Sequence, residues 1–391
     1  MVKDVIKLGD VATYINGYAF KPEDRGEVGL PIIRIQDLTG NAYDLGFYDG
    51  EYPEKIEIND GDVLISWSAS LGVYVWNRGR ALLNQHIFKV VFDKVDIDKN
   101  YFVYAVRRKI DEMGMKTHGA TMKHIVKKDF DATLIPYPSL NKQAEIATNL
   151  NKVSRVIEAR KQELQLLDYL IKARFVEMFG DPMVNPKDYK IKKYGELFEL
   201  NAGGTPSKTV PEYWENGTIS WIGSNMCQNV ILYENDGKYI SQHGYEHSSA
   251  RLFPVDTVLI ALVGATIGKT ALLKFETSTN QNVLGVRHIV ESGYNPMFVF
   301  YYTQFLYQKF INIGDGGFNM ASKGFVSELP MYDVDLSVQN EFSLFANQVD
   351  KLIREQSASG QRKKQTTLLA VSAHSSGLHT GFHQLNQVAS D

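Results

Sequence analysis

The chain has one cysteine, Cys227, among its 391 residues. A single thiol excludes a disulfide framework and a multi-thiolate metal site, and it fits a reducing compartment. The first ten residues contain no apolar signal-peptide core, and no stretch approaches the roughly eighteen apolar residues of a membrane span. These absences predict a cytoplasmic protein that does not enter the membrane.

Motifs for catalysis are also missing. The segment Gly264–Thr270 has one residue too few to be a phosphate-binding loop, which favours a tight turn between two strands. The prolines at Asp181-Pro182 and Asn185-Pro186 lack the second proline and the aromatic residue of amino-methyltransferase motifs. His243 and His247 lack a glutamate beside the first histidine, so we expect a surface loop rather than a zinc site. The sequence therefore predicts no catalytic residue, metal or cofactor.

Proline and glycine are absent from the stretch between Leu140 and Phe179. Apolar residues recur in it at alternating steps of four and three, which is typical of a coiled-coil seam. The predicted seam of this helix is Ile146, Leu150, Val153, Ile157, Leu164, Leu167, Ile171 and Met178. A helix of this length spans roughly 60 Å and needs a partner helix. An amphipathic helix packed on its own globular domain is the alternative.

The chain repeats itself over about half of its length. Lys7–Val11 matches Lys193–Leu197, Asn84-Gln85 matches Asn280-Gln281, and the start of the long helix at Leu140 matches Leu336. A period this long indicates a duplicated domain. Short β-branched runs in each half predict strands at residues 31–36, 62–66 and 87–92, and at 219–222, 257–262 and 283–290. Helices are predicted at residues 101–113 and 296–313. Each half is thus predicted to be an α+β globule followed by a helix.

The second long helix is predicted to run back antiparallel to the first. Its seam begins with Phe342, Phe345, Val349 and Leu352 and breaks down after Glu355, where polar residues and Gly360 follow. Beyond Ala370 the composition predicts a disordered tail. The predicted boundaries are residues 1–139 and 182–335 for the globules, 140–181 for the central helix, and 336–391 for the second helix and tail.

The net charge of −3 gives no indication of nucleic-acid binding, but basic residues can gather on one face. Basic, amide and hydroxyl side chains at loops and strand ends suit phosphate oxygens and base edges. The candidate DNA contacts are Arg34, Gln36, Arg78, Arg80, Lys116, Lys123, Lys127, Lys128, Thr205, Ser207, Lys208, Ser224, Asn225, Lys269 and Arg287. A solvated charged face is the alternative for each of them.

The duplication, together with Gly204–Ser207, Tyr213-Trp214, Ile219–Ile222 and Asn280-Gln281, resembles the specificity subunit of type I restriction-modification systems, HsdS. The resemblance covers about residues 1–355. It implies two target recognition domains, each reading half of a split site in double-stranded DNA. It further implies that the helices set the spacing between the half-sites and dock two modification (methyltransferase) subunits, which the restriction (motor-nuclease) subunits join. The family subunit has no catalysis of its own.

Two other classes of function stay open from the residues. One is a self-contained DNA methyltransferase or nuclease with unrecognised motifs, which would bind S-adenosylmethionine alone. The other is a coiled-coil scaffold with two heads for protein ligands, which would not retain DNA.

Overall fold

The computed structural model divides into two compact units, Met1–Glu158 (unit 1) and Ala159–Asp391 (unit 2). It describes residues 5–40, 45–116, 125–313 and 320–375, and only the backbone of residues 113–116 and 357–375. Lys123, the side chain of Lys116 and the end of the tail after Ser375 lie outside the described residues. The division between the units falls inside the central helix, and not at either of its predicted ends.

Unit 1 is an α+β globule. Its strands are β1 (Val5–Lys7), β2 (Thr13–Asn16), β3 (Leu30–Ile33), β4 (Gly46–Tyr48), β5 (Glu57–Ile58), β6 (Val63–Ser66), β7 (Gly72–Val75), β8 (Ala81–Leu83), β9 (Ile87–Val91) and β10 (Leu134–Pro136). Its helices are α1 (Leu8–Val11), α2 (Ile35–Thr39), α3 (Lys99–Lys116), α4 (Lys127–Ala132) and the first half of α5 (Leu140–Phe179).

The strands of unit 1 form two four-stranded sheets and one pair. The first sheet has the order β2-β9-β6-β7 and is antiparallel, and the second has the order β4-β3-β8-β5 with β3 and β8 parallel. β1 pairs with β10, which leads directly into α5. The core lies between the first sheet and the helices, where Phe88, Phe102 and Phe130 are buried.

Unit 2 repeats this plan. Its strands are β11 (Ile191–Lys193), β12 (Glu199–Ala202), β13 (Ile219–Ile222), β14 (Val230–Leu232), β15 (Tyr239–Ile240), β16 (Leu252–Phe253), β17 (Val258–Ala261), β18 (Thr270–Leu273), β19 (Thr277–Thr279), β20 (Val283–Arg287) and β21 (Pro330–Tyr332). Its helices are α6 (Tyr194–Leu197), α7 (Gln242–Glu246), α8 (Pro296–Phe305), α9 (Tyr307–Ile311), α10 (Lys323–Ser327) and α11 (Leu336–Ser375).

The sheets of unit 2 match those of unit 1 strand for strand, with one strand added. They have the orders β12-β20-β17-β18-β14 and β15-β13-β19-β16, and the pair β11-β21 leads into α11 as β1-β10 leads into α5. The duplication predicted from the sequence is confirmed.

A buried glutamine fixes the start of each long helix in the same way. Gln143 accepts a hydrogen bond from the backbone of Asp98 at 2.9 Å and donates to the carbonyl of Pro138 at 2.8 Å. Gln339 accepts from the backbone of Asn295 at 2.9 Å and donates to the carbonyl of Val334 at 2.7 Å. Because a buried amide needs partners for both of its ends, each glutamine holds its helix against the preceding globule.

The second half of α5 packs antiparallel to α11 within unit 2. Arg174 forms an ion pair with Glu341 at 3.0 Å, and Glu163 accepts a hydrogen bond from Gln356. From the first contact to the second, the residue number falls from 174 to 163 along α5 and rises from 341 to 356 along α11, so the two helices run in opposite directions. Phe175 lies between them, with its ring edge-on to Phe342 at 5.2 Å. The bounds of α5 are those predicted from the sequence, and the predicted antiparallel packing of the two long helices is confirmed.

The buried faces of the two helices differ in part from the predicted seam. Ile171, Phe342 and Val349 are buried, and the partly buried Leu167, Met178 and Phe345 pack against the core. Ile146, Leu150, Val153 and Leu164 are half-buried. Ile157 and Leu352 are 45% and 48% exposed.

Three residues that were not part of the predicted seam are more buried than the exposed seam residues Ile157 and Leu352. Phe175 and Phe179 are fully buried, and Ile353 packs on the core beside the exposed Leu352. The alternating steps of three and four from Ile171 to Met178 fall on the charged Arg174, and not on Phe175. A straight helix drifts away from that period, so its buried face moved to the neighbouring Phe175.

Other differences are local. Helix α2 begins at Ile35, so Gln36 is helical and not part of a strand. The helix predicted over residues 296–313 divides at Leu306 into α8 and α9. His243 lies in the short helix α7 and not in a loop, whereas Gly264 does lie in the tight turn between β17 and β18, as predicted.

Helix α11 continues to Ser375, beyond the end predicted at Ala370. Propagating a formed helix costs little, and the single glycine within it costs only about 1 kcal/mol. Within the described residues, no helix is long and apolar enough to cross a membrane.

Candidate nucleic-acid interface

Two tryptophans hold the glycine-rich loop that follows β12. The indole of Trp221 donates to the carbonyl of Gly204 at 3.0 Å, and the indole of Trp214 donates to the carbonyl of Ser207 at 3.2 Å. The two indoles pack edge to face with their centroids 5.2 Å apart. The three sequence phrases around these residues thus belong to one structure that positions Thr205.

Three predicted DNA contacts, Thr205, Asn225 and Lys269, lie on the surface that this loop borders. The Lys269 ammonium donates to Oε1 of Gln228 at 2.9 Å, and Nε2 of Gln228 donates to the carbonyl of Asn225 at 3.1 Å. At the other end, the Thr205 hydroxyl donates to Oε1 of Gln281 at 2.6 Å. Gln228 and Gln281 were not among the predicted contacts.

Gly223, which has no side chain, lies between the group that contains Asn225 and Lys269 and the group that contains Thr205 and Gln281. A Cβ placed on Gly223 would lie 2.5 Å from Oδ1 of Asn225 and 3.8 Å from Nδ2 of Asn280, so both amides flank it. We call this set the amide surface of unit 2; it consists of Thr205, Asn225, Gln228, Lys269, Asn280 and Gln281. Amides in such number can donate to phosphates and pair with base edges.

Unit 1 has a corresponding surface. The backbone amide of Asn84 donates to the carbonyl of Ile33 at 3.0 Å, as that of Asn280 donates to Ile222 at 3.2 Å. Gln36 follows Ile33 by three residues and is exposed, as is Gln85. We call Gln36, Asn84 and Gln85 the amide surface of unit 1.

The predicted arginine contacts of unit 1 have partners inside the protein. Arg34 forms an ion pair with the buried Asp37 at 3.1 Å, and its own side chain is only 12% exposed. Arg78 donates to the carbonyl of Asp37 at 2.8 Å and lies over the ring of Trp76. DNA contact by Arg34 and Arg78 stays a prediction, and both stabilise the loops of their own unit.

Arg80 forms a two-pronged ion pair with Glu57. Both of its hydrogen bonds to the carboxylate are 2.7 Å long. The hydrogen bonds from Arg80 hold the pKa of Glu57 at about 2, well below its ordinary value. The charge of Arg80 is therefore largely neutralised within unit 1.

The remaining basic candidates differ in availability. Lys128 is exposed, whereas the Lys127 ammonium pairs with Asp131 at 2.8 Å and lies over the ring of Tyr14. In unit 2, Arg287 lies 3.7 Å from the carboxylate of Glu199. The exposed Lys208 and Ser207 follow the glycine-rich loop, and the half-buried Ser224 precedes Asn225.

Two kinds of reactive centre, a thiol nucleophile and a bound metal ion, find no support in the described residues. Burial raises the pKa of the Cys227 thiol to about 12, so it stays protonated and unreactive. Among the residues that the structure describes, no cluster of histidine, cysteine and carboxylate side chains could hold a metal ion.

An apolar stripe runs along the outer side of α5 in unit 2. Leu166 and Tyr169 are 67% and 69% exposed, and Leu170 is 47% exposed. With the exposed Ala173 they lie at helical spacing on the side opposite the buried Ile171. Exposed apolar stripes of this kind are common at surfaces that bind a protein partner.

Comparisons with known proteins agree with the duplicated fold. The family of the type I restriction modification DNA specificity domain matches the chain twice, over residues 3–168 and 186–365. The chain is 28% identical over 312 residues to the EcoBI specificity subunit of Escherichia coli, covering 70% of this chain and 63% of that protein. It is 30% identical over 156 residues to the EcoR124I/EcoR124II specificity subunit of Escherichia coli, covering 39% and 37%. The matches thus span less than two thirds of the length of these relatives.

Two solved structures have the same fold. The type I restriction-modification S subunit from M. genitalium has a TM-score of 0.52 at 14% identity, covering 92% of each chain. A chain from a structure on complex assembly and conformational transition of the type I system has a TM-score of 0.50 at 14% identity, covering 94% of this chain and 96% of that one.

Proposed function

Because the chain belongs to the type I restriction-modification DNA specificity family, we propose that it is the DNA-recognition subunit of a type I restriction-modification complex. The observation that carries the proposal is the pair of amide surfaces, one in each copy of the specificity domain. Each unit reads one half of a split, asymmetric site. The chain carries out no catalysis of its own and works in the cytoplasm.

The two units read different bases. At equivalent places, three residues after Ile33 and Ile222, unit 1 carries Gln36 and unit 2 carries Asn225. Either amide can pair two-pronged with adenine, and each such pair contributes roughly 1–3 kcal/mol of discrimination. Since the side chains differ in length, they reach a base edge from different depths, which favours unlike half-sites.

The apolar stripe of α5 is the docking surface for a modification subunit. Methyl transfer needs a subunit that binds S-adenosylmethionine, and the chain itself carries no motif for it. A permanent subunit interface is apolar at its centre and ringed by charge, and the stripe is flanked by the ion pair of Asp168 with Lys172. Restriction subunits then join through this modification complex.

Methylome sequencing tests recognition. Co-expressed with its cognate modification subunit, the chain is expected to direct adenine methylation to one split motif with a fixed gap. Replacing Gln36 by alanine should relax one half of the motif, and replacing Asn225 should relax the other half. A stable complex that methylates nothing would contradict the proposal.

Co-purification tests the docking surface. The double variant Leu166→Glu, Tyr169→Glu is expected to lose the modification subunit while keeping its melting temperature, because both side chains are exposed. Val184→Glu, at a site that is 72% exposed but off the stripe, is the matched control. Full retention of the partner by the double variant would show that docking occurs elsewhere.

A further inference from the structure

Each unit presents an exposed glutamine at the same turn of its fold. Gln85 lies between β8 and β9, and Gln281 lies between β19 and β20; in both units these two strands belong to different sheets. Both turns are tied to their unit through the preceding asparagine, whose amide bonds to the carbonyl of Ile33 or Ile222. The two glutamines are therefore structural equivalents.

A glycine packs against each turn and holds its shape. Gly17 donates its amide to Ile87 at 3.1 Å, and Gly203 donates to Val283 at 3.0 Å. Any side chain on Gly17 would overlap the backbone carbonyl of Asn84, and any on Gly203 would overlap Thr279 and Asn280. Two loops with little sequence in common thus each bring a glycine into close contact with the backbone of the equivalent turn.

The asparagine side chains complete the turns. Oδ1 of Asn84 accepts from the backbone of Gln85 at 2.8 Å, and Oδ1 of Asn280 accepts from the backbone of Asn282 at 3.2 Å. In unit 2, Thr205 also bonds to Oε1 of Gln281, which leaves the Nε2 hydrogens as the group offered to a ligand. Two hydrogens from an amide nitrogen suit an acceptor such as a phosphate oxygen.

Both positions carry glutamine, and this identity indicates whether they contact the bases or the sugar-phosphate backbone of the DNA. A residue that reads a base should differ between units that read unlike half-sites, as Gln36 and Asn225 do. Gln85 and Gln281 are the same residue at equivalent turns of the two units, so they fit what all half-sites share. That shared feature is the sugar-phosphate backbone.

We propose that Gln85 and Gln281 are a matched pair of phosphate contacts that seat each half-site at a fixed depth, independently of its sequence. This inference rests on the proposed DNA-recognition function. It assigns the two residues a positioning role: they set the register in which neighbouring amides meet the bases.

Binding measurements on the complex with modification subunits test the pair. Gln85→Ala and Gln281→Ala should each weaken binding roughly ten- to a hundredfold, which is the range for one hydrogen bond to a charged acceptor. The loss should be equal on cognate and scrambled duplexes, and the methylated motif should not change. Because a neutral amide releases no counterion, the slope of log K against log salt should stay the same, whereas Lys128→Ala should flatten it by about one.

A gain-of-binding variant makes the test independent of any loss of folding. Gln281→Lys should tighten binding to all sequences and steepen the salt slope by about one. Asn149→Ala, which removes an exposed amide from α5, is the control and should leave binding unchanged.

Two results would overturn the inference. A loss confined to the cognate duplex, or a changed motif, would make the glutamines base readers. Unchanged affinity in both alanine variants would make them bystanders. If the wild-type complex bound no DNA, the proposed function itself would fail, and the two failures are therefore distinguishable.

Discussion

Most arginines that the sequence placed at a DNA surface already have an acidic or carbonyl partner inside unit 1. Arg34, Arg78 and Arg80 contact Asp37 or Glu57, and the contacts of Arg78 and Arg80 join residues that are 41 and 23 positions apart in the sequence. The uncharged Gln85 and Gln281 have the more open positions. The sequence-based prediction favoured arginines because of their charge, since the partners that folding brings to them cannot be read from the sequence alone.

The ion pair of Arg80 with Glu57 predicts a pH-dependent stability. The pKa of Glu57 in the folded protein is about 2, which lies below its ordinary value of 4.5. The ion pair therefore stabilises unit 1 above pH 4.5 and loses this effect as the pH falls towards 2. Arg80→Ala should therefore lower the melting temperature at pH 7, and the difference from wild type should vanish as the pH approaches 2. Lys55→Ala, which removes the same charge from a nearby exposed position, is the control. An equal difference at pH 7 and pH 3 would disprove the coupling.

At the scale of elements, α5 shows what periodicity can predict. The absence of proline and glycine gave both ends of the helix, and it ends where Gly180 takes a positive φ of 77°. Its buried face was less predictable, since the choice between Arg174 and Phe175 depends on what packs opposite. In the structure, Phe298 and Phe305 stack on the ring of Phe175 with centroids 5.6 and 4.9 Å away.

Phe175 is expected to be the residue of α5 on which unit 2 depends most. Phe175→Ala should lower the free energy of unfolding by roughly 3–5 kcal/mol, because it leaves a cavity among rigid aromatic rings. Urea unfolding followed by tryptophan fluorescence measures this, and Trp214 and Trp221 report on unit 2. Val176→Ala, at an adjacent exposed site, should change stability by less than about 0.5 kcal/mol. Similar losses in both variants would contradict the assigned packing.

The length of α5 is predicted to set the gap between half-sites. Inserting one heptad before Leu164 adds roughly 10 Å of helix, equivalent to about three base pairs. The methylated motif should then keep both half-sites and lengthen its gap. An unchanged gap would exclude α5 as the spacer.

At the scale of the whole molecule, the division between units predicts where family members can be recombined. Phe175 and Phe179 belong to α5 by sequence, but they pack against Phe298 and Phe342 in unit 2. A chimera that exchanges residues 159–391 should fold well and change one half-site only. A chimera that exchanges only residues 182–335 should melt at a lower temperature, because Phe175 and Phe179 would then pack against core residues from a different protein. Equal melting temperatures would contradict this division.

The sequence by itself determined the duplicated α+β plan, the long helices and the family, because repeats and periodicity are properties of residue order. The matched positions of Gln143 and Gln339 show this, since both anchor a helix in the same way. Only the tertiary structure decided which polar residues are exposed and which are paired. The amide surface of unit 2 joins residues from position 205 to position 281, and such contacts arise only when distant loops are brought together by folding.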